Sequence, residues 1–576
     1  MRSYFTIIVA LITTFVAVFA TPVFALQSEP RAHYSLNEGW RFNDISKPNA
    51  TVQYLDLPHV WSVGDVVPST ASYSRQLHVP HTLRGKRLFL RFGGVMTQTN
   101  VFVNGNWVGE HRGAYTAFTF EITDKVRYGE NNTITVHVSN SSKFDIFPVS
   151  TEHNLPGGIY RDVELMVTGR NIISPTFYSS DGVFVEQHEV STERVSGVVT
   201  LYLSAMDEGA HNITVRFIAP DGYEVCRYTA KAGKAEKQSG VEIPYSIDYP
   251  DLWSPESPTL YRVEAVVGNA DKPSDRVSFD VGFRSVGVSK DNRLTINGNE
   301  VDIHGVNLAH DRAGVGAVLT DAELRQDLDL VKDMGANALR SVVGPHRESL
   351  YDMCDREGVV AWVDMPFTRN SALFGDICYY PTVALRDNGF EQLKEVVAQN
   401  YNHPSVVMWG LFSLVWQHGD SVIDYIKQLN NFAHKIDPTR LTVGCSNVDG
   451  EINFITDIAV LRQNVGWQKG QADDVAVWCR QLASKREWRT AHFGVCYGEE
   501  GATEHNTERI VRAQRGTRSL PARRQTYMHE RYHSIIDSMG NFCGVWLNNM
   551  FDYASSRRPY SLNRSGLVEY DHRTKK

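Results

Sequence analysis

The sequence predicts a multidomain β plus α/β protein: a jelly-roll β-sandwich, then an immunoglobulin-like β-sandwich, then a (β/α)8 TIM barrel with no sequence for its last helix. Three observations predict it. At 576 residues the chain is too long for one ordinary domain. Its first half is written in short alternating segments broken by turn residues, as antiparallel sheets with one buried face require. After Arg284 the hydrophobic period changes, and strand-like runs alternate with amphipathic helices, as in a parallel sheet covered by helices.

Residues 1–25 stand apart from the fold. Met1-Arg2 gives a positive start, Ile7 to Phe19 an apolar run, and Val23-Phe24-Ala25 a small-x-small cleavage site, together a secretory signal peptide. No other uninterrupted apolar stretch reaches about 18 residues, so no membrane span is expected after its removal. Residues 27–168 form the first sandwich. Arg87-Leu88-Phe89-Leu90-Arg91-Phe92 and Thr133-Ile134-Thr135-Val136-His137-Val138 alternate, and the strand at Asn100 to Val103 ends in Asn104-Gly105, a hairpin-turn signal. Residues 171–283 are again all-β, with strands at 198–203 and 214–218 and the length of one immunoglobulin-like module.

The barrel occupies 285–576. Strands are expected at 301–306, 338–343, 359–364, 405–411, 441–446, 454–461, 491–496 and 542–547. Thr320 and Glu323 form a capping box, Leu324, Leu328 and Val331 line one face of the helix it opens, and Gly335 closes it. Further helices fit at 347–356, closed by Gly358, and at 390–399. The chain stops at Thr574-Lys575-Lys576 without an eighth helix; one reading is a truncated product whose barrel leaves an apolar flank uncovered.

Composition narrows the function. A hydrophobic share of 42%, a charged share of 22% and a net charge of −8 without long single-sign runs argue against nucleic-acid or lipid-headgroup partners. The seven cysteines, Cys226, Cys354, Cys378, Cys445, Cys479, Cys496 and Cys543, are scattered and lack C-x-x-C spacing. Buried free thiols are expected, not a disulfide framework or a zinc site. With a signal peptide, that favours a secreted or periplasmic bacterial location.

The fourth barrel strand, 405–411, poses the central question. Catalytic groups of such barrels sit just past the carboxyl ends of the strands. Here that place is Phe412-Ser413-Leu414, and none of the three ionises.

Several motifs resemble the family 2 glycoside hydrolases, the β-galactosidase and β-glucuronidase group. Asn104-Gly105 with Gly109-Glu110-His111, and Gly157-Gly158-Ile159-Tyr160-Arg161-Asp162-Val163, match its sugar-binding domain. Leu252-Trp253-Ser254-Pro255-Glu256 matches its middle module, and His304-Gly305-Val306-Asn307 and Asn402-His403-Pro404-Ser405 match its barrel. The resemblance covers nearly the whole chain and is greatest to a Bacteroidetes β-galactosidase-like branch. It implies an exported retaining glycosidase acting on terminal β-linked O-glycosides, with an oligosaccharide or glycoside as ligand. Retaining hydrolysis uses two carboxylates about 5–5.5 Å apart, one an acid/base and one a nucleophile. The family's acid/base is the Glu of an Asn-Glu pair that falls on Ser413-Leu414. Its nucleophile, aligned without gaps, falls on Tyr497, with Glu499 and Glu500 just beyond as candidate catalytic carboxylates. Asn307, Asp311, Arg340, Asp364, Asn447 and Asn549 are the candidate substrate-binding residues. No metal is required, although the resemblance leaves Mg²⁺ or Na⁺ open, as it does a homo-oligomer. No Asn-x-Lys motif for a glucuronate stands out, which tilts the sugar towards a neutral one.

Three readings follow: a working or impaired hydrolase, a non-catalytic carbohydrate-binding protein on the same scaffold, and a decaying copy that folds poorly.

Overall fold

The structure is a computed structural model. It describes residues 30–149, 151–204, 207, 211–233, 239–269, 271–368, 382–415, 420–467, 470–504, 520–540 and 542–576. The signal segment over 1–25 and Cys378 lie outside the described residues.

Alternation of buried and exposed side chains builds the first sandwich. Glu130–Ser139 buries every second residue from Asn132 onward and pairs antiparallel with both Thr70–Val79 and Gln98–Val103 inside a six-stranded sheet. A four-stranded sheet faces it, and Trp40, Tyr73, Leu77, Leu90 and Val136 fill the space between. Asn104 and Gly105 both adopt left-handed backbone, at φ 52° and 78°, and turn the chain into Asn106–Arg112. Two further four-stranded sheets pack around Phe217, Tyr245 and Phe283. Trp253 of the middle-module motif is fully buried, and its Nε1 donates to the Asp355 carbonyl 2.8 Å away, fastening this sandwich to the barrel.

Eight parallel strands close the barrel: β1 His304–Leu308, β2 Ala338–Ser341, β3 Val360–Asp364, β4 Val406–Ser413, β5 Leu441–Ser446, β6 Ile458–Gln463, β7 His492–Tyr497 and β8 Val545–Leu547. Helices α1 Asp321–Asp333, α2 Glu348–Glu357, α3 Val383–Asn400, α4 Asp420–Ile436, α5 Asp474–Ser484 and α6 Ala522–Met539 flank it. Both halves of the Thr320/Glu323 capping box are made.

Five strands depart from expectation by two residues or more; the second ends early at Ser341 and the eighth begins late at Val545. The first begins at His304, because the left-handed pair Asn297 and Gly298 folds Asn299–Val301 back as an antiparallel hairpin. The fourth runs two residues further, since Ser413 N–H donates to the Phe367 carbonyl and Leu414 N–H to the Cys445 carbonyl. The sixth starts at Ile458, because Glu451–Phe454 is a 3₁₀ turn.

Among the described residues no α-helix follows β8. Instead 548–576 folds back over the barrel. His572 stacks on Phe551 at 3.7 Å and bonds Asp327, and the buried Lys576 ammonium reaches Asp552 at 2.7 Å. The described cysteines are free, all buried except the half-buried Cys226. No helix among the described residues is long and apolar enough to cross a membrane.

Gly358 tests the junction between modules. It ends α2 in left-handed conformation, φ 69°, and a Cβ there would collide with the Pro255 carbonyl. Gly335, at φ 81°, has nothing within 4 Å. Gly335→Ala is expected to lose only the backbone cost of about 1–2 kcal/mol, and Gly358→Ala clearly more, read as the difference between their melting temperatures.

Candidate functional site

The carboxyl ends of the strands converge on a cavity of about 40 Å³, space for a few small atoms. Asn307 from β1, Arg340 from β2, Asp364 from β3, Ser413 from β4, Cys445 from β5, Arg462 from β6 and Cys496 from β7 line it. Leu414, Val343, Asn548 and Tyr553 complete the wall, and the first sandwich contributes Thr151, Glu152 and His153 from across the chain.

One ion pair fixes the near side. Arg340 Nε and Nη2 donate to Asp364 Oδ2 at 3.0 and 2.7 Å, and Nη2 also donates to Ser413 Oγ at 3.0 Å. The guanidinium lies 3.9 Å from the Trp362 ring centroid. Arg340 and Asp364 are each 2% exposed. Burial pushes the Asp364 carboxyl up to about 6 against the pull of Arg340, so the pair is charged at neutral pH.

The far side is made of sulfur. Side chains of β7 alternate: Phe493, Val495 and Tyr497 pack outward with α5 and α6, while Cys496 faces inward. Asn307 Nδ2 lies 4.0 Å from Cys496 Sγ, and Cys445 lines the same cavity. Its neighbour Cys496, with Arg340 and Arg462 nearby, pulls the Cys445 thiol down to about 5. Cys496 is pushed well up as its counterpart in the pair. Arg462 Nε is buried without a hydrogen-bond partner. His153 stacks on Tyr553 at 4.2 Å, and burial lowers its imidazole to about 4, so it is neutral. Glu152 is held by Arg558 at 2.7 Å. Two residues of this wall, Val343 at φ 61° and Leu414 at φ 54°, adopt the left-handed backbone that bulky side chains rarely take.

Three of the expected residues, Asn307, Arg340 and Asp364, are brought together here. The others are not. Tyr497 lies outside the barrel wall, its ring 4.7 Å from Tyr532, because strand alternation gives the inward position to Cys496. Glu499 is 1% exposed but faces α6, where Arg524 Nε meets Oε1 at 3.3 Å. Gly498 carries the chain so close to the Asn548 carbonyl that no side chain fits, and beyond it Glu499 lies on the far side of the wall. Glu500 is paired with Arg558 at 3.1 Å. Asp311 accepts from Ala554 N–H at 2.6 Å and Tyr570 O–H at 3.1 Å, tying down the C-terminal segment. Asn447 is exposed beyond β5, and Asn549 is buried against Ser565 Oγ at 2.9 Å. Counting the period of two along β7 would have found Cys496; nothing local in the sequence announces Glu152, His153 or Arg462.

Among the described residues, the side chains that could gather around a resident Mg²⁺ or Na⁺ fit it poorly. The one candidate group among the described residues is Asp352, Asp355 and His403, with donor atoms within 4.8 Å. Asp355 already accepts from His403 Nδ1 at 2.6 Å and Ser405 N–H at 2.9 Å. Burial disfavours the His403 charge, but Asp355 outweighs it and lifts the imidazole to about 9, leaving a cation where a ligand is needed.

Glu499 has a pH signature. Burial pushes its carboxyl up to about 8 despite Arg524, so the folded chain holds a proton that the unfolded chain releases near its ordinary value of 4.5. This contribution is present below pH 4.5 and lost as pH rises towards 8. Glu499→Gln is expected to flatten that part of the stability–pH profile and to be more stable than wild type at pH 8, measured by urea unfolding at pH 5 and 8.

Comparison with known proteins places the chain. Residues 35–169 match the family 2 glycosyl hydrolase sugar-binding domain, 181–284 the central family 2 domain and 286–576 the family 2 TIM-barrel domain. A β-glucuronidase of Bacteroides fragilis is 33% identical over 94% of this chain and 79% of its own length. A β-galactosidase of Thermoanaerobacter pseudethanolicus is 29% identical over 71% of this chain, which spans only 53% of that relative. The crystal structure of a Bacteroides uniformis β-glucuronidase superposes with a TM-score of 0.86 at 26% identity, covering 95% of this chain and 68% of that one. All three modules match in order and one relative is a third identical over nearly the whole chain, so this protein belongs to the glycosyl hydrolases family 2.

Proposed function

We propose that this exported protein binds a β-linked glycoside at the barrel mouth and has lost hydrolysis by the two-carboxylate route. One observation carries the reading. Of the described strand-end residues lining the mouth, Asp364 alone is a carboxylate, and it is committed to Arg340. Ser413 and Leu414 stand where family resemblance asks for the acid/base, and Tyr497, where it asks for the nucleophile, lies outside the wall, which Cys496 lines instead. Glu152 reaches the mouth from the first sandwich, but Arg558 and Tyr553 hold it. With no free carboxylic acid among the described residues of the mouth to protonate the leaving oxygen, the reading implies a loss of about 10²–10⁴-fold in rate from that step alone.

Binding groups remain. Arg340, Arg462, Asn307, Asn548 and His153 offer donors and acceptors to sugar hydroxyls. The relatives named β-glucuronidase and β-galactosidase support a terminal β-linked sugar. The apolar segment at 1–25 supports export. The modules at 27–168, 171–283 and 285–576 serve as flanking sandwich, spacer and ligand-binding barrel.

A screen of nitrophenyl β-glycosides with calorimetric binding of the same sugars tests this. Binding without steady-state turnover is expected. Turnover by the wild type that Glu152→Gln abolishes would instead favour an impaired hydrolase. Ser413→Asn with Leu414→Glu is expected to recover little, and adding Cys496→Glu to recover more, because the seventh strand presents position 496, not 497, to the mouth.

A further inference from the structure

We propose that Arg462 sets the sugar specificity of the barrel mouth, selecting glycosides that carry an oxyanion on the sugar, a carboxylate or a sulfate ester, over neutral ones. The proposal rests on the reading of the mouth as a glycoside site.

Three observations carry it. The first is how charges are paired. Arg340 is held by Asp364 at 2.7 Å, and Arg558, behind the wall, by Glu152 at 2.7 Å and Glu500 at 3.1 Å. Asp364 and Glu152 are the carboxylates of the described lining, so both are already committed. Arg462, on β6, has no hydrogen-bond or ion-pair partner among the described residues, and its Nε is sealed from water. The second is the supply of donors. Asn548 Oδ1 accepts from Asn307 Nδ2 at 2.9 Å, which leaves the Asn548 amide to donate. Ser413 Oγ accepts from Arg340 at 3.0 Å, which leaves its O–H to donate. Asn307 Oδ1 is an acceptor without a partner, on a side chain 2% exposed. An oxyanion takes the hydrogen bonds that Arg462, Asn548 and Ser413 offer, and a hydroxyl beside it on the same sugar supplies the one that Asn307 lacks. The third is size. The cavity of about 40 Å³ has space for a few small atoms, the scale of an acidic substituent.

The selection follows from what binding does to water. In the free protein Arg462 is half-buried and still hydrated. A ligand in the mouth displaces that water. A neutral sugar then leaves the guanidinium desolvated without a counter-charge, whereas an acidic one replaces the water with charged, forked hydrogen bonds. Rejection of the wrong sugar therefore contributes alongside contact with the right one. The want of an Asn-x-Lys motif tilts the sequence towards a neutral sugar; the charge of the mouth points the other way.

The test is calorimetry on the full mature chain with phenyl 1-thio-β-glycosides matched except at C6: galactoside against galacturonide, glucoside against glucuronide, and the galactoside 6-sulfate as a further arm. The acidic member of at least one pair is expected to bind about 10–100-fold more tightly than its neutral partner. A gain shared by uronide and sulfate ester supports a reader of oxyanions at large; a gain confined to one of them supports that group as the ligand. Arg462→Gln is expected to remove most of the preference, costing the acidic glycoside much more than the neutral one. Arg462→Lys keeps the charge but not the fork and retains part of the preference, which a merely structural arginine would not do. Neutral glycosides binding as tightly as acidic ones, or a preference that survives Arg462→Gln, overturns the proposal and leaves the glycoside reading standing. Binding of none of them sinks that reading too. The wild-type comparison needs no variant, so it can overturn the proposal even where Arg462→Gln fails to fold.

Discussion

The ion pair between Arg340 and Asp364 sets the terms for everything else at the barrel mouth. Both groups have left water, and each is tolerable only because of the other. Removing one partner of such a pair costs on the order of 3–5 kcal/mol, since the survivor stays buried and uncompensated. Asp364 is therefore occupied as a counter-charge and is not free to donate a proton or attack a carbon. Arg340 also reaches Ser413, so the end of β4 is held from β2 rather than by its own chemistry. The end of the strand is thus fixed without any carboxylate at 413 or 414.

The backbone beside this pair keeps a shape that its side chains do not need. Val343 and Leu414 are apolar and bulky, yet both adopt φ near +60°. A non-glycine residue pays about 1–3 kcal/mol for such a conformation, and it persists only where the surroundings over-determine it. At Leu414 the surroundings are the ladder bond from its N–H to the Cys445 carbonyl, next to the Arg340–Ser413 contact. The strain therefore belongs to the barrel mouth as an assembled unit, and the residues at 343 and 414 inherit it.

Much of the fold was legible in the sequence because it depends on periods and caps. The Asn104-Gly105 turn, the Thr320/Glu323 box and the glycine after α2 each act within a few residues. The misplacements came where a local signal was weaker than a distant partner. Asn297-Gly298 folds its own hairpin, and β4 extends because Phe367 and Cys445 supply carbonyls from neighbouring strands. The mouth was less legible for the same reason. Family resemblance points to Tyr497, and carboxylate chemistry to Glu499 and Glu500, but strand alternation and the close approach at Gly498 decide where they point. Glu152 and His153 arrive from another module, so no spacing within the barrel could reveal them.

Charge balance separates the two arginines of the mouth. A buried ion without a partner is costly, and Arg340 is neutralised by Asp364. Among the described residues no carboxylate pairs with Arg462, which is only half-buried, so that water meets the charge that no side chain does. Arg340 is therefore spent on holding the strand ends together, and Arg462 is the guanidinium of this wall left to meet a ligand.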